Sequence, residues 1–149
     1  MIRIMFVCHG NICRSPMAEF VMKKLVSDCG REGEFYIASA ATHTDEIWAG
    51  QGNPIYPPAQ REMRKNGIPF DNEKRATLLR KSDADKYDLF IGMDSENMRY
   101  MPRILGSAAD GKILKLLGDR DVSDPWYTGN FALAFSDIKC GCEALLEEL

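Results

Sequence analysis

The sequence predicts a single α/β domain built on a four-stranded parallel sheet with helices on both faces. Three observations carry this. Apolar runs rich in β-formers recur at Ile2–Val7, Phe35–Ala41, Asp88–Met93 and Ile113–Leu117. Segments with helical spacing or helix punctuation separate them, and such alternation implies a parallel sheet covered on both faces. The 149 residues, 45% of them hydrophobic, suffice for one domain, residues 1–149, with a substantial core.

The first strand, Ile2-Arg3-Ile4-Met5-Phe6-Val7, is nearly all apolar and reads as buried. A helix follows from Pro16, with Met17, Phe20, Val21 and Leu25 at helical spacing and Gly30 as its stop. Ser15 can cap that helix, and Pro16 suits its first turn. Between strand and helix runs Cys8-His9-Gly10-Asn11-Ile12-Cys13-Arg14-Ser15. A tight strand-to-helix loop points backbone N–H groups inward, and the helix dipole adds positive charge, so the loop is an anion site. Gly10 permits close backbone approach, and Asn11 tolerates positive φ. Arg14 offers a planar fork for two oxygens of a phosphate-like group. The same field favours the thiolate of Cys8, a nucleophile aimed at phosphorus.

The second strand is Phe35–Ala41, ending in Ser39-Ala40-Ala41-Thr42. Residues 42–57 form a long loop with Gly50, Gly52, Pro54 and Pro57, and long loops in compact domains are often functional. Its Trp48 has two open placements, a substrate wall or a fold back onto the surface. A second helix spans Pro58–Asn66, with Gly67 as its stop, and Ser82–Lys86 is a capped turn. The third strand, Asp88–Met93, leads into a helix that starts at Asp94 or Ser95 and ends near Leu105. After the fourth strand comes the charged run Asp119–Pro125. From Gly129 to Leu149, Phe131, Phe135, Ile138, Cys142 and Leu145 fit one helical face. In open α/β sheets ligands bind beyond the carboxyl ends of strands. Cys8, Ser39 to Thr42, Asp94 and Asp124 follow the four strands in turn and should converge there.

Composition narrows the partners. A net charge of -3 suggests no nucleic acid, and no apolar run approaches membrane-spanning length. Met1-Ile2-Arg3 shows no signal-peptide pattern, so the cytosol is the expected place; a monomer is the expected state. Five cysteines, an odd number, do not form a disulfide scaffold. No metal-ligand pairing stands out, and Cys140 and Cys142 fall on different faces of the last helix. Neither metal nor cofactor is expected. A nucleotide-hydrolysing Gly-x4-Gly-Lys-Ser/Thr loop is absent.

The first loop resembles the signature Val-Cys-x5-Arg-Ser of the low-molecular-weight protein tyrosine phosphatases. The similarity continues at Ser39-Ala40-Ala41-Thr42, Gly92-Met93-Asp94-Ser95-Glu96-Asn97 and Asp124-Pro125-Trp126-Tyr127, nearly the whole chain. It implies a flavodoxin-like fold and hydrolysis of phosphotyrosine in proteins through a covalent cysteinyl-phosphate. Inorganic phosphate and related oxyanions would occupy the loop. Asp124 matches the general acid, with Trp126 and Tyr127 lining the pocket mouth. Asp119 and Asp121 are alternatives by charge alone, but only Asp124 has the Asp-Pro-aromatic setting. The resemblance further assigns Ser15 as a donor to Cys8, Ser39 as a partner of a left-handed Asn11, and Asp94 as a supporting carboxylate. Cys13, otherwise a small buried hydrophobe, becomes a thiol that protects Cys8 as a reversible disulfide.

Two departures stand out. Many members carry His-x-Ala-Arg where this chain reads Lys74-Arg75-Ala76-Thr77, which puts in doubt the network built from those residues. Asp45 or Glu46 stands where many members place an aromatic pocket wall, and Trp48 is expected to substitute by reaching back. Three rival readings stand beside this one. Arsenate reductases on this fold use a cysteine pair near residues 80–90, and this chain has no cysteine between Cys29 and Cys140. A phosphocarrier would not need Asp124. A phosphoarginine phosphatase branch places threonine at Ile12, whereas Ile12 with Trp126 and Tyr127 suggests a slot for a flat phenyl ring.

Overall fold

The computed structural model describes residues 1–149. In chain order the elements are β1 (Ile2–Cys8), α1 (Arg14–Asp28), β2 (Phe35–Ala41), a hairpin of β3 (Ile47–Trp48) and β4 (Gln51–Gly52), α2 (Pro57–Lys65), β5 (Leu89–Gly92), α3 (Ser95–Leu105), β6 (Ile113–Lys115), the single turn α4 (Pro125–Thr128) and α5 (Phe131–Glu147). The main sheet is parallel, in the order β2-β1-β5-β6. No helix is long and apolar enough to cross a membrane.

β1 is central because both of its faces are apolar. Ile4, Phe6 and Cys8 pack with Met17 and Val21 of α1, Met63 of α2 and Phe135 and Ile138 of α5. Met5 and Val7 turn the other way, onto Phe90 of β5 and Met101 and Leu105 of α3. The order in which strands are added reverses at β1, with β2 on one side and β5 and β6 on the other, so the loops that follow β1 and β5 part there. This is the crevice where open α/β sheets take ligands.

The elements fall within a few residues of where periodicity puts them, and three differences stand out. The fourth strand stops at Lys115 rather than Leu117; Leu116 N still donates to Gly92 O at 2.9 Å, then the chain turns at Gly118, φ 70°. Pro125–Thr128 forms a turn of helix where only a stiff loop was expected, because Asp124 accepts from Trp126 N at 3.0 Å and Pro125 suits a first helical position. The 42–57 segment holds the β3–β4 hairpin. Its two-residue turn, Ala49 (φ 50°) and Gly50 (φ 78°), lacks the Asn-Gly pair that announces such turns.

The hairpin is docked, not loose. Ala76 N donates to Asn53 O at 2.9 Å, and Asn53 N to Glu46 O at 2.8 Å. Gly52 lies so near Ala76 that a Cβ there would overlap its carbonyl. Gly52→Ala should therefore lower stability by about 1–3 kcal/mol through overpacking against backbone. A thermal melt checks this; an unchanged melting temperature would mean that the hairpin does not need this close approach.

Candidate active site

β1 ends at Cys8 and α1 begins at Arg14, so five residues make the whole turn. Asn11 makes it possible with φ 60°, a conformation Asn adopts at little cost. Its carboxamide is fully engaged. Nδ2 donates to Ser15 Oγ (2.8 Å) and Ser39 Oγ (2.9 Å), while Oδ1 accepts from Lys74 Nζ (2.9 Å) and Thr77 N (3.0 Å). The buried Cys8 Sγ sits 3.0 Å from Ser15 Oγ and accepts from Asn11 N at 3.3 Å. Because Ser15 Oγ already accepts from Asn11, its own hydrogen is free for the sulfur. Ser15 does not cap α1, as the sequence suggested. The helix starts two residues earlier, at Arg14, with Cys13 at the cap position and no side-chain cap bond.

Arg14 is 3% exposed and therefore rigid. Nη1 donates to Asp94 Oδ2 at 2.7 Å and to Val122 O at 2.9 Å; Nη2 approaches Asp124 Oδ2 at 3.4 Å. Of five guanidinium N–H groups, those three bonds leave Nε–H and one Nη2–H, the number a bidentate contact to an oxyanion uses. Burial alone would lower the Arg14 pKa, but the nearby Cys8, Asp124 and Asp94 charges outweigh it and raise it further. Asp94 is itself held by a reciprocal cap: its Oδ1 accepts from Asn97 N at 2.9 Å, and Asn97 Oδ1 accepts from Asp94 N at 3.1 Å.

These groups line one cavity of about 400 Å³. Its floor is the loop from Cys8 to Arg14, including His9, Gly10, Ile12 and Cys13. Asp45, Glu46, Asp94 and Glu96 form the walls, and Asp124, Trp126 and Tyr127 the mouth. A Cβ on Gly10 would lie 3.1 Å from Glu46 Cγ, a tight contact that the Glu46 side chain would have to shift to admit. Burial first, then the charges of Cys8, Asp124 and Glu46, push the Cys13 thiol far up, so Cys13 stays protonated beside Cys8. Ser39 and Ser15 lie behind the loop, off the cavity surface. Trp48 is not a pocket wall. It is 84% exposed beside the β3–β4 turn, because the hairpin docks on Ala76 and carries the tip away from the loop. The aromatic side is Trp126 instead, which packs on Tyr56 with ring centroids 4.9 Å apart.

Sequence reasoning missed two groups. Lys74 takes a place in the loop's network despite the missing histidine. His9 was read as a loop position only, yet it is clamped: Nε2 lies 2.7 Å from Asp45 Oδ2 and Nδ1 2.7 Å from Glu96 Oε1. Two carboxylates on one imidazole require both nitrogens to donate, hence the cation. Desolvation would lower the His9 pKa, but the bonds and charges of Glu96 and Asp45 outweigh it and raise it; Asp45 is lowered chiefly by the same bond. No spacing signal links residues 9, 45 and 96. His9 also stacks on His43, centroids 4.1 Å apart and planes within 10°. His9, His43 and Glu96 are the one cluster with metal-ligand character, all within 4.8 Å. Stacked rings aim their in-plane lone pairs in parallel instead of at one point, and each ring already has hydrogen-bond partners.

A family model described as "Low molecular weight phosphotyrosine protein phosphatase" matches residues 3–149. The low molecular weight protein-tyrosine-phosphatase YfkJ of Bacillus subtilis is 39% identical over 100% of this chain and 96% of its own. The crystal structure of SP-PTP, the low molecular weight protein tyrosine phosphatase of Streptococcus pyogenes, superposes with a TM-score of 0.90, at 37% identity, covering 100% of this chain and 93% of that one. Wzb of Vibrio vulnificus, solved in complex with benzylphosphonate, gives 0.85 at 25% identity, covering 99% of each.

The His9 clamp fixes a pH dependence. A histidine whose pKa is raised on folding contributes stability that is complete below its unfolded value of about 6.5 and is lost as pH rises through the folded value. Asp45, lowered on folding, contributes above its ordinary range and loses this in acid. His9→Gln should therefore melt below the wild type by its widest margin near pH 6, and the gap should close as pH rises. Melting curves across pH check this; a gap that stays constant or widens with pH would show that His9 is not held as a cation.

Proposed function

The chain belongs to the low-molecular-weight phosphotyrosine protein phosphatase family and is a protein-tyrosine-phosphatase, and we propose that it works through a cysteinyl-phosphate with Asp124 as the proton donor. The observation that carries this is a single one: Cys8, Arg14 and Asp124 line one cavity of the size a phenyl phosphate needs. Phosphotyrosine is an aryl phosphate, and the benzylphosphonate held by Wzb supports the pairing of an aromatic ring with a phosphoryl-like group in such a pocket.

The phosphoryl group binds over the loop amides and the two spare N–H groups of Arg14. The Cys8 thiolate attacks phosphorus, the P–O bond to tyrosine breaks, and Asp124 gives its proton to the departing phenolate oxygen. Water then attacks the phosphocysteine, the Asp124 carboxylate takes its proton, and the S–P bond breaks to release phosphate and the thiolate. Ser15 stabilises the thiolate as leaving group. Ile12 and Trp126 offer apolar surface to the ring. Cys13, kept as a thiol, is placed to condense with a Cys8 sulfenic acid formed by peroxide, releasing water and forming a reducible disulfide.

Asp124→Ala should slow phosphotyrosine turnover by ~10²–10⁴-fold, the usual worth of a positioned acid, because tyrosine leaves as a phenolate of pKa about 10. An activated aryl phosphate should lose far less. Cys8→Ser should abolish both turnovers while vanadate still binds. Equal losses for good and poor leaving groups would remove Asp124 from the role, and retained turnover in Cys8→Ser would remove the covalent step. Phosphoserine and phosphoarginine peptides run alongside test the substrate class.

Redox control makes a separate expectation. Peroxide-inactivated wild type should recover with a thiol reductant, whereas Cys13→Ser should recover markedly less. Equal recovery would dismiss the protective thiol.

A further inference from the structure

Lys74 connects two cavities that share no lining residue. One is the active-site cavity. The other, of about 310 Å³, is lined by Lys74 with Glu19, Arg80, Asp83, Lys86 and Tyr87 among others. From its wall the Lys74 ammonium makes three hydrogen bonds, to Asn11 Oδ1 (2.9 Å), Ser39 O (3.3 Å) and Arg75 O (3.1 Å). An ammonium has only hydrogens to give, so the directions that follow are fixed. Asn11 must present its oxygen to Lys74 and its amide nitrogen to Ser15; Ser15 Oγ must accept from that nitrogen and give its hydrogen to Cys8 Sγ. Every donor in the series Lys74–Asn11–Ser15–Cys8 points toward the sulfur.

We propose that Lys74 is a positioning residue for the nucleophile: its ammonium, acting through the Asn11 carboxamide and the Ser15 hydroxyl, polarises the hydrogen bond that holds the Cys8 sulfur as a thiolate. Thr77 N also donates to Asn11 Oδ1, at 3.0 Å, so the carboxamide would keep its orientation without Lys74. What Lys74 adds is charge, and polarised chains of hydrogen bonds strengthen one another in a medium of low dielectric. The charges facing Lys74 are few. On α1, Glu19 receives Ser39 Oγ at 2.6 Å and Lys23 Nζ at 2.6 Å, so its negative charge is already shared. On the cavity's far wall Arg80 and Lys86 oppose Asp83. Burial lowers the Lys74 pKa and the like charge of Lys23 adds to this, while Glu19 and Cys8 oppose it without restoring the ordinary value. Three oxygen acceptors around Nζ call for the ammonium, which stands behind the loop at the first position of the Lys74-Arg75-Ala76-Thr77 run.

The proposal rests on Cys8 being the nucleophile, so its test reads the reactivity of that thiol against pH. Iodoacetamide inactivation, protected by inorganic phosphate, is followed against pH to find the midpoint at which Cys8 becomes reactive. Lys74→Gln keeps a donor without charge, Lys74→Met keeps neither, and Lys74→Arg keeps charge. Arg75→Met removes the neighbouring cation, which makes no bond to Asn11. Lys74→Gln and Lys74→Met should raise the midpoint by roughly half a unit to one unit, slowing inactivation about three- to ten-fold at pH values below the wild-type midpoint. Lys74→Arg should stay within a few tenths of the wild type, as should Arg75→Met. If Lys74→Gln, shown folded by circular dichroism, keeps the wild-type midpoint, the charge has no role. A loss of activity equal at every pH with an unmoved midpoint makes Lys74 merely structural, and also overturns the proposal. Failure of the nucleophile itself would appear elsewhere, as phosphotyrosine turnover surviving in Cys8→Ser.

Discussion

Asn11 sits at φ 60°, and the rest of the site depends on that one left-handed residue being held. Five residues must carry the chain from the end of a buried strand to the start of a helix while turning their amides inward. Only a sharp reversal does this, and a reversal leaves polar groups away from water. The Asn11 carboxamide satisfies them in one place, using both donors and both acceptor positions. Loss of that side chain would take one hydrogen bond each from Ser15, Ser39, Lys74 and the Thr77 amide, at about 1 kcal/mol apiece. The partners come from α1, β2 and the segment after α2, so the loop's shape is set by the whole sheet edge.

The second constraint is charge. The cavity proposed to take a phosphate dianion is lined by five carboxylates, Asp45, Glu46, Asp94, Glu96 and Asp124. Four of them are occupied. Asp94 receives Arg14 at 2.7 Å, Asp45 and Glu96 share the His9 cation, and Glu46 receives Asn53 Nδ2 at 3.1 Å. Asp124 is held least, by the Trp126 amide and a 3.4 Å approach from Arg14. That looser hold suits the proton-donor role proposed for Asp124, since breaking a short ion pair in each cycle would add to the barrier. The same balance explains why Arg14 is buried: with Asp94 and Val122 O fixing one nitrogen, its remaining donors face the loop without conformational cost.

Much of this was legible in the sequence because it is local. Strand, loop and helix follow one another within residues 2–28, and the spacing from Cys8 to Arg14 is short enough that chain geometry alone places both in one turn. The alternation of apolar runs with helical segments fixed the sheet and its parallel sense. The Asp94 cap and the Asp124-Pro125 turn are likewise written in neighbouring residues. What misled the reading was also local: Ser15 looks like a helix cap because its sequence position suits one, but the sulfur and Asn11 take its hydroxyl.

The tertiary structure alone decided what joins residues far apart. His9 meets Asp45 and Glu96 across three segments, and Lys74 reaches Asn11 from 63 positions away, with no periodicity to announce either. Trp48 shows the limit from the other side. Its composition suited a pocket wall, yet the docking of Gly52 on Ala76 carries it into solvent. The sequence determined the sheet, the phosphate loop and the residues with chemistry to offer, because hydrophobic period and loop length act over a few residues. Which charges face one another was decided by packing, because long-range electrostatic contacts depend on where whole elements come to rest.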